Sequence, residues 1–402
     1  MTTVGLRSVP YPYRAMLAIC SDLDETPDRE VYWEIARYLN SGDRTCMGPG
    51  VELEVGNSIY FDMPPDQFAY WNTDDRGRAM VRALSRSGHI DCFHSYGDLA
   101  TTRAHAGRAL DELERHGCRL GVWIDHAVAP SNFGSDIMRG RGDVPGDPVY
   151  HADLTCEFGV EYVWRGRITS VIGQEVPRSL GGIFELPHAV PSARTLAKEW
   201  AKGRLGRLGN RKYEIHAPNE VLRRAKLRDG RLVWEFLRAN PYWGGVENAV
   251  TAAGLADVLD RRFLDTLVSR GGVALLYTHL GKVTDRREPL PPATREALQL
   301  LASYRDSERI LVTTTKRLLD WCRRRREARV EATETAGLLR VDVRLARAET
   351  EFDGLTLYVP EGRHVRVTLG DREIGDLRRN PADHTGRTSV SVDWRRLQFP
   401  RS

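Results

Sequence analysis

Acids and histidines stand at the ends of four short apolar runs in this chain: Ser21-Asp22-Leu23-Asp24 after MLAIC, His94-Ser95-Tyr96-Gly97-Asp98 after HIDCF, Asp125-His126 after LGVWI, and His279 after VALLYT. Carboxylates and imidazoles gathered in one sheltered cleft suit a divalent ion with an acid and a base beside it, and few other chemistries need that mixture. Two carboxylates and an imidazole around such an ion leave positions open for water and for an acyl oxygen, so the water loses its proton readily and the carbonyl is polarised. A neighbouring carboxylate then takes the water's proton, and a histidine gives one to the leaving amine. Asp24, His94 and Asp98 are the candidate ligands, with Asp22 as base and His279 as acid; either of Asp22 and Asp24 can be the base and the other the ligand. These residues point toward a metal-dependent hydrolase.

Residues so far apart in sequence need a scaffold that collects them. Short apolar runs bounded by polar residues read as buried parallel strands, and in α/β barrels the residues just past the strand ends build the reactive face. Helical patterns alternate with these runs. Thr26 and Pro27 predict an N-cap and a first-turn proline, followed by Val31, Ile35 and Leu39 at helical spacing through Asn40. Ala106, Leu110 and Leu113 recur between HIDCF and LGVWI, with Gly117 as the stop. Further strands are expected at 161–164, 273–278 and 310–315, with helices around 250–269, 292–304 and after 315. The repeat predicts a distorted (β/α) barrel over 1–327. Residues 328–402 alternate apolar and polar positions between turn signals such as Asp353-Gly354, which predicts a small antiparallel, β-sandwich-like domain. The glycine- and proline-rich connections 45–75 and 130–160 are expected to shape a binding site. Asn132 and His151 in the second connection, with Tyr96, His126 and Arg165 from just past strand ends, are the candidates for binding the substrate.

The bulk composition excludes several classes. With 59 basic against 55 acidic residues, the net charge of +4 gives little general attraction to nucleic acid. No apolar run approaches the ~18 residues of a membrane span. The N-terminal segment lacks the basic start and apolar core of a secretory signal, and the six cysteines contain no CxxC pair. A reducing, cytoplasmic setting without structural zinc is the expectation. The run Arg323 to Arg326 reads as a solvated helix end, and the basic segment 198–212, with its glycines, as a mobile surface loop.

The order of the motifs over residues 14–327 resembles the polysaccharide deacetylase family, the NodB-homology carbohydrate esterases. Ser21-Asp22-Leu23-Asp24 is similar to the family's near-adjacent aspartates, with a leucine inserted between them. His94-Ser95-Tyr96-Gly97-Asp98 resembles its His-Ser/Thr-x-x-His motif, with aspartate in place of the second histidine, and His279 after VALLYT resembles its late histidine. The resemblance implies a metal-dependent deacetylase acting on an N-acyl amino sugar or a glycosylated small molecule. Zinc would be the first choice of ion, with cobalt, nickel or manganese as substitutes. The family's middle motifs, which bring an arginine and a tryptophan to the site, have no recognisable match.

Each residue also has a plain structural role open to it. Asp22 and Asp24 alone read as helix caps, Asp98 as a cap for a helix near Thr101, and His94 as a core histidine. Two other classes of protein fit the same residues: a metal-free glycoside hydrolase with paired carboxylates, and a sugar-binding protein with degenerate motifs. An oligomer is compatible with this composition.

Overall fold

The structure, a computed structural model, describes residues 4–22, 26–127, 129–184, 186–241, 251–335 and 337–401. The apolar runs lie side by side as strands. Ala15–Asp22, buried along its whole length, pairs in parallel with Val273–Thr278 on one edge. On its other edge, the first half pairs with Ile310–Thr313 and the end with Gly56–Ile59. From there the sheet runs in parallel through Ile90–His94, Val122–Ile124, Tyr162–Trp164 and Leu232–Phe236, and finishes on antiparallel Leu222–Lys226. Ile168–Thr169 and Arg238–Ala239, just beyond two of these strands, pair with each other, and Arg238–Ala239 packs near Val273–Thr278. The molecule is thus a mixed α/β protein around a large, mainly parallel sheet. Strands buried on both faces explain why the runs are continuously apolar rather than alternating.

Helix boundaries follow local chemistry, with some departures from expectation. The first helix is Arg29–Asn40, capped by Asp28 rather than Thr26, with the Asp28 side chain accepting from the Val31 N–H at 3.0 Å. Aspartate caps at least as well as threonine, so the helix starts two residues later than the sequence suggested. Thr102 caps Arg103–Arg115, which buries Ala106, Leu110 and Leu113 as the periodicity predicts. Residues 198–207 of the segment expected to be a mobile loop are instead the end of a helix, Ala189–Arg207. Gly206 is there because a Cβ would lie 2.3 Å from the Tyr213 carbonyl oxygen, so close packing, not mobility, selects glycine. The connection 45–75 contains the strand Gly56–Ile59, hidden by its small polar residues.

The arginines Arg323 to Arg326 are not a solvated end of Thr315–Glu327. Arg323 is buried and pairs with Glu327 and Glu349, Arg324 pairs with Glu349, and Arg325 and Arg326 pair with Glu175. After this helix come two four-stranded sheets. In one, Leu338–Arg344 lies between antiparallel Arg329–Thr335 and parallel His364–Leu369, so the C-terminal sheets are mostly but not wholly antiparallel. In the other, Thr356–Tyr358 pairs with Ser389–Ser391 and also with Gly5–Leu6 from the N-terminal end. Leu339, Val341 and Leu357 share one apolar cluster with Met16, Leu318 and Trp321, so these strands pack on the body of the protein. Among the described residues, no helix is long and apolar enough to cross a membrane. All six cysteines are free, with the sulfurs of buried Cys20 and Cys92 at 3.9 Å.

Candidate active site

Strand register brings the site together. Asp22 closes its strand directly opposite Ser58, and Val273–Thr278 delivers Tyr277 beside Cys20 and Thr278 beside Ser21. The Leu280 N–H then donates to Ser21 Oγ at 3.1 Å, which fixes the chain just past His279. Ser58 donates to one oxygen of Asp22, and the Tyr277 phenol donates to the other, Oδ2, which also faces His94 Nδ1. His279 Nε2 lies 3.0 Å from the Tyr277 hydroxyl and 3.7 Å from Asp22 Oδ2. His94 ends the strand Ile90–His94, and its Nδ1 also touches the Tyr60 hydroxyl.

The charge state follows from this enclosure. Burial by itself raises the Asp22 pKa, but His94, His279 and Arg238 outweigh it and hold the carboxyl well below the usual carboxylate range. Burial pushes the His94 imidazole down to about 4, against the pull of Asp22. At neutral pH, Asp22 is therefore charged and His94 neutral. His94 Nδ1 then faces both Asp22 Oδ2 and the Tyr60 hydroxyl.

Around this pair the rings are closely packed. His94 and His126 meet edge to face with centroids 4.7 Å apart, and Tyr60 packs on both. His126 Nδ1 lies 2.8 Å from Asp98 Oδ1. Asp98 is held by the turn after His94, where Gly97 has φ +112° and a Cβ would come within 2.1 Å of the Asp62 carbonyl oxygen. No other residue fits there.

The remaining candidates are placed unequally. Asn132 is buried and braces the site's edge: its Oδ1 accepts from the His126 N–H at 2.8 Å and its Nδ2 donates to the His126 carbonyl at 3.0 Å. Tyr96, His151 and Arg165 are drawn into the interior rather than into the site. The hydroxyl of buried Tyr96 is 2.7 Å from Thr155 Oγ1, which lies 2.8 Å from His151 Nδ1, while His151 Nε2 meets the Ser131 carbonyl at 2.9 Å. Arg165 donates to buried Glu235, which also faces Arg167 and Arg223. Asp125 accepts from the Trp123 indole and from the Phe133 and Gly134 N–H groups, all at 2.8 Å, and burial raises its pKa to about 7. It shapes the loop that carries Asn132.

Asp24 lies outside the described residues. His94 and Asp98 stand in one cluster with His126, and among the described residues no group of three His, Cys, Asp or Glu side chains is placed to hold an ion.

Sequence reasoning missed Ser58, Tyr60, Tyr277 and Arg238. Ser58 and Tyr60 lie in a segment read as a loop, and Tyr277 was absorbed into an apolar run. Arg238 has its guanidinium carbon 3.8 Å from the Trp164 ring centroid and 3.9 Å from that of Tyr277. An arginine and a tryptophan thus stand at the site, though no motif marks them. Arg238 lies just past the strand Leu232–Phe236, whose Glu235 hides the run from an apolar pattern, so no local cue marks it.

No protein-family model, curated protein or solved structure matches this chain.

Proposed function

We propose that this chain is a cytoplasmic hydrolase that removes an N-acyl group, acetyl in the first instance, from an amino sugar or a glycosylated small molecule, on a sheet curled into a distorted barrel of the NodB type. The observation that carries the reading is the convergence of Asp22, His94 and His279, three residues singled out by motif order, at the carboxyl ends of parallel strands. The approach of Arg238–Ala239 to Val273–Thr278 supports closure of the sheet.

The described residues are equipped to handle protons. Asp22 and His279 are 3.7 Å apart, too close for a scissile bond to lie between them, so they work as one unit and not as an acid and a base on opposite faces. A carboxylate held so low in pKa is a weak base. It is suited to anchor Tyr277 and, through that phenol, His279, which is the less enclosed group. His279 would take the proton of the attacking water and return it to the departing amine. Metal dependence rests on the order of Asp24, His94 and Asp98 in the sequence, with zinc as the first candidate and Lewis-acid activation of water and carbonyl as its contribution.

The test is acetate release from N-acetylglucosamine and its glycosides by the purified protein, with metal analysis before and after chelation. Release that chelation abolishes and zinc restores supports the full reading. Release that persists with no bound metal keeps the hydrolase and removes the ion. Cleavage of the glycosidic bond alone would replace the reading with a glycoside hydrolase.

A further inference from the structure

Arg238 is a buried charge that the site as described leaves unexplained. It is 2% exposed, and none of its three guanidinium nitrogens has a hydrogen-bond partner among the described residues. Buried arginines ordinarily spend their donors on carboxylates or carbonyls, as Arg167 does on Asp136 and Arg323 on Glu349. Stacking between Trp164 and Tyr277 offsets part of the desolvation cost but uses the faces of the guanidinium and leaves its N–H edge unspent.

The location gives that edge a use. Tyr277, one wall of the stack, donates to Asp22 and meets His279, so Arg238 borders the reactive cluster. A cation fixed beside a proton-transfer group, with its donors unspent, is arranged to receive negative charge from a ligand.

We infer that Arg238 is an anion-recognition residue, whose unpartnered edge receives an oxyanion, carboxylate or phosphate, carried by the molecule bound beside Asp22 and His279. The planar fork matches two oxygens of either group, and the aromatic walls hold it from turning away. The substrate class is thereby narrowed to acidic molecules, whichever bond is cleaved.

Binding can be read without any assay of turnover. The melting temperature and calorimetric binding of the wild-type protein would be measured against inorganic phosphate and, separately, acetate, with ionic strength held constant by chloride. At least one of the two should bind saturably and raise the melting temperature, and the one that does so identifies the group as phosphoryl or carboxylate. Arg238→Met should abolish the response. Arg238→Lys, which keeps the charge but loses the fork, should weaken it by about tenfold or more, and it carries the test if the methionine variant does not fold. No saturable response to either anion, or an undiminished response in both variants, overturns the inference.

Discussion

Asp22 and His94 meet through Oδ2 and Nδ1 at the ends of two strands that are separated in the sheet by a third, Gly56–Ile59. That intervening strand supplies Ser58 to the same carboxylate, and Tyr60, just past its end, touches the same imidazole. Asp22→Asn keeps the shape but removes the charge that faces His94 and anchors Tyr277. Turnover should fall by a factor of ~10² or more, because His279, the proton-transfer group, loses the anchor that positions it, while the far-UV spectrum is retained. Steady-state kinetics on an N-acetyl amino sugar check this.

His279 stands 3.0 Å from the Tyr277 hydroxyl. An acid that protonates a departing amine matters more as the leaving group becomes more basic. His279→Ala should therefore impair amide cleavage severely and spare an aryl acetate. Tyr277→Phe should act in the same direction. Equal losses on both substrates in the alanine variant would assign His279 a structural role.

Gly97 holds a backbone that only glycine adopts without strain, pressed against Asp62. Gly97→Ala should cost about 2 kcal/mol or more, from left-handed strain together with the clash. Chemical denaturation measures the loss, and the turn carrying Asp98 should shift with it.

Glu235 is fully buried among Arg165, Arg167 and Arg223. Glu235→Gln leaves these guanidinium groups facing one another without their shared counter-charge. A loss of about 3 to 5 kcal/mol is expected, the cost of breaking a buried ion pair from one side, and denaturant melts with both chains in the same buffer test it.

His151 is buried, and its pKa is pushed down to about 4 by that burial. Its Nε2 faces a carbonyl, so the neutral ring carries its proton there and its Nδ1 accepts from Thr155. An unfolded imidazole takes its second proton near pH 6.5 and the folded one near 4, so in between the unfolded state binds more protons. Stability from this group is thus complete above about pH 6.5, is lost as pH falls toward 4, and amounts to about 3 kcal/mol at most. His89 and His94 act in the same direction, whereas Asp91 and Asp125, with raised pKa values, act in the opposite one. Replacing His151 with glutamine should flatten the pH dependence of stability between 6.5 and 4. Nitrogen chemical shifts should report a neutral Nε2–H tautomer in the wild-type protein at pH 6.5, giving way to the doubly protonated ring only as pH approaches about 4.

The sequence by itself determined the parallel strands and the residues at their ends. Runs such as MLAIC and VALLYT are apolar on both faces, which only a doubly covered sheet satisfies, and a polar residue closing such a run must emerge at its rim. Asp22, His94 and His279 were legible for that reason. Tertiary structure alone decided which of their neighbours matter. Ser58 reaches Asp22 because Gly56–Ile59 pairs beside it, Tyr277 because of a register set across more than two hundred residues, and Arg238 because the chain beyond Leu232–Phe236 passes near Val273–Thr278. The same holds for Tyr96, His151 and Arg165, whose residue types suggested ligand contacts and whose donors the fold consumed internally. Pairing between distant strands leaves no periodic trace in local sequence, because it is fixed by packing across the whole core and not by the propensities of neighbouring residues.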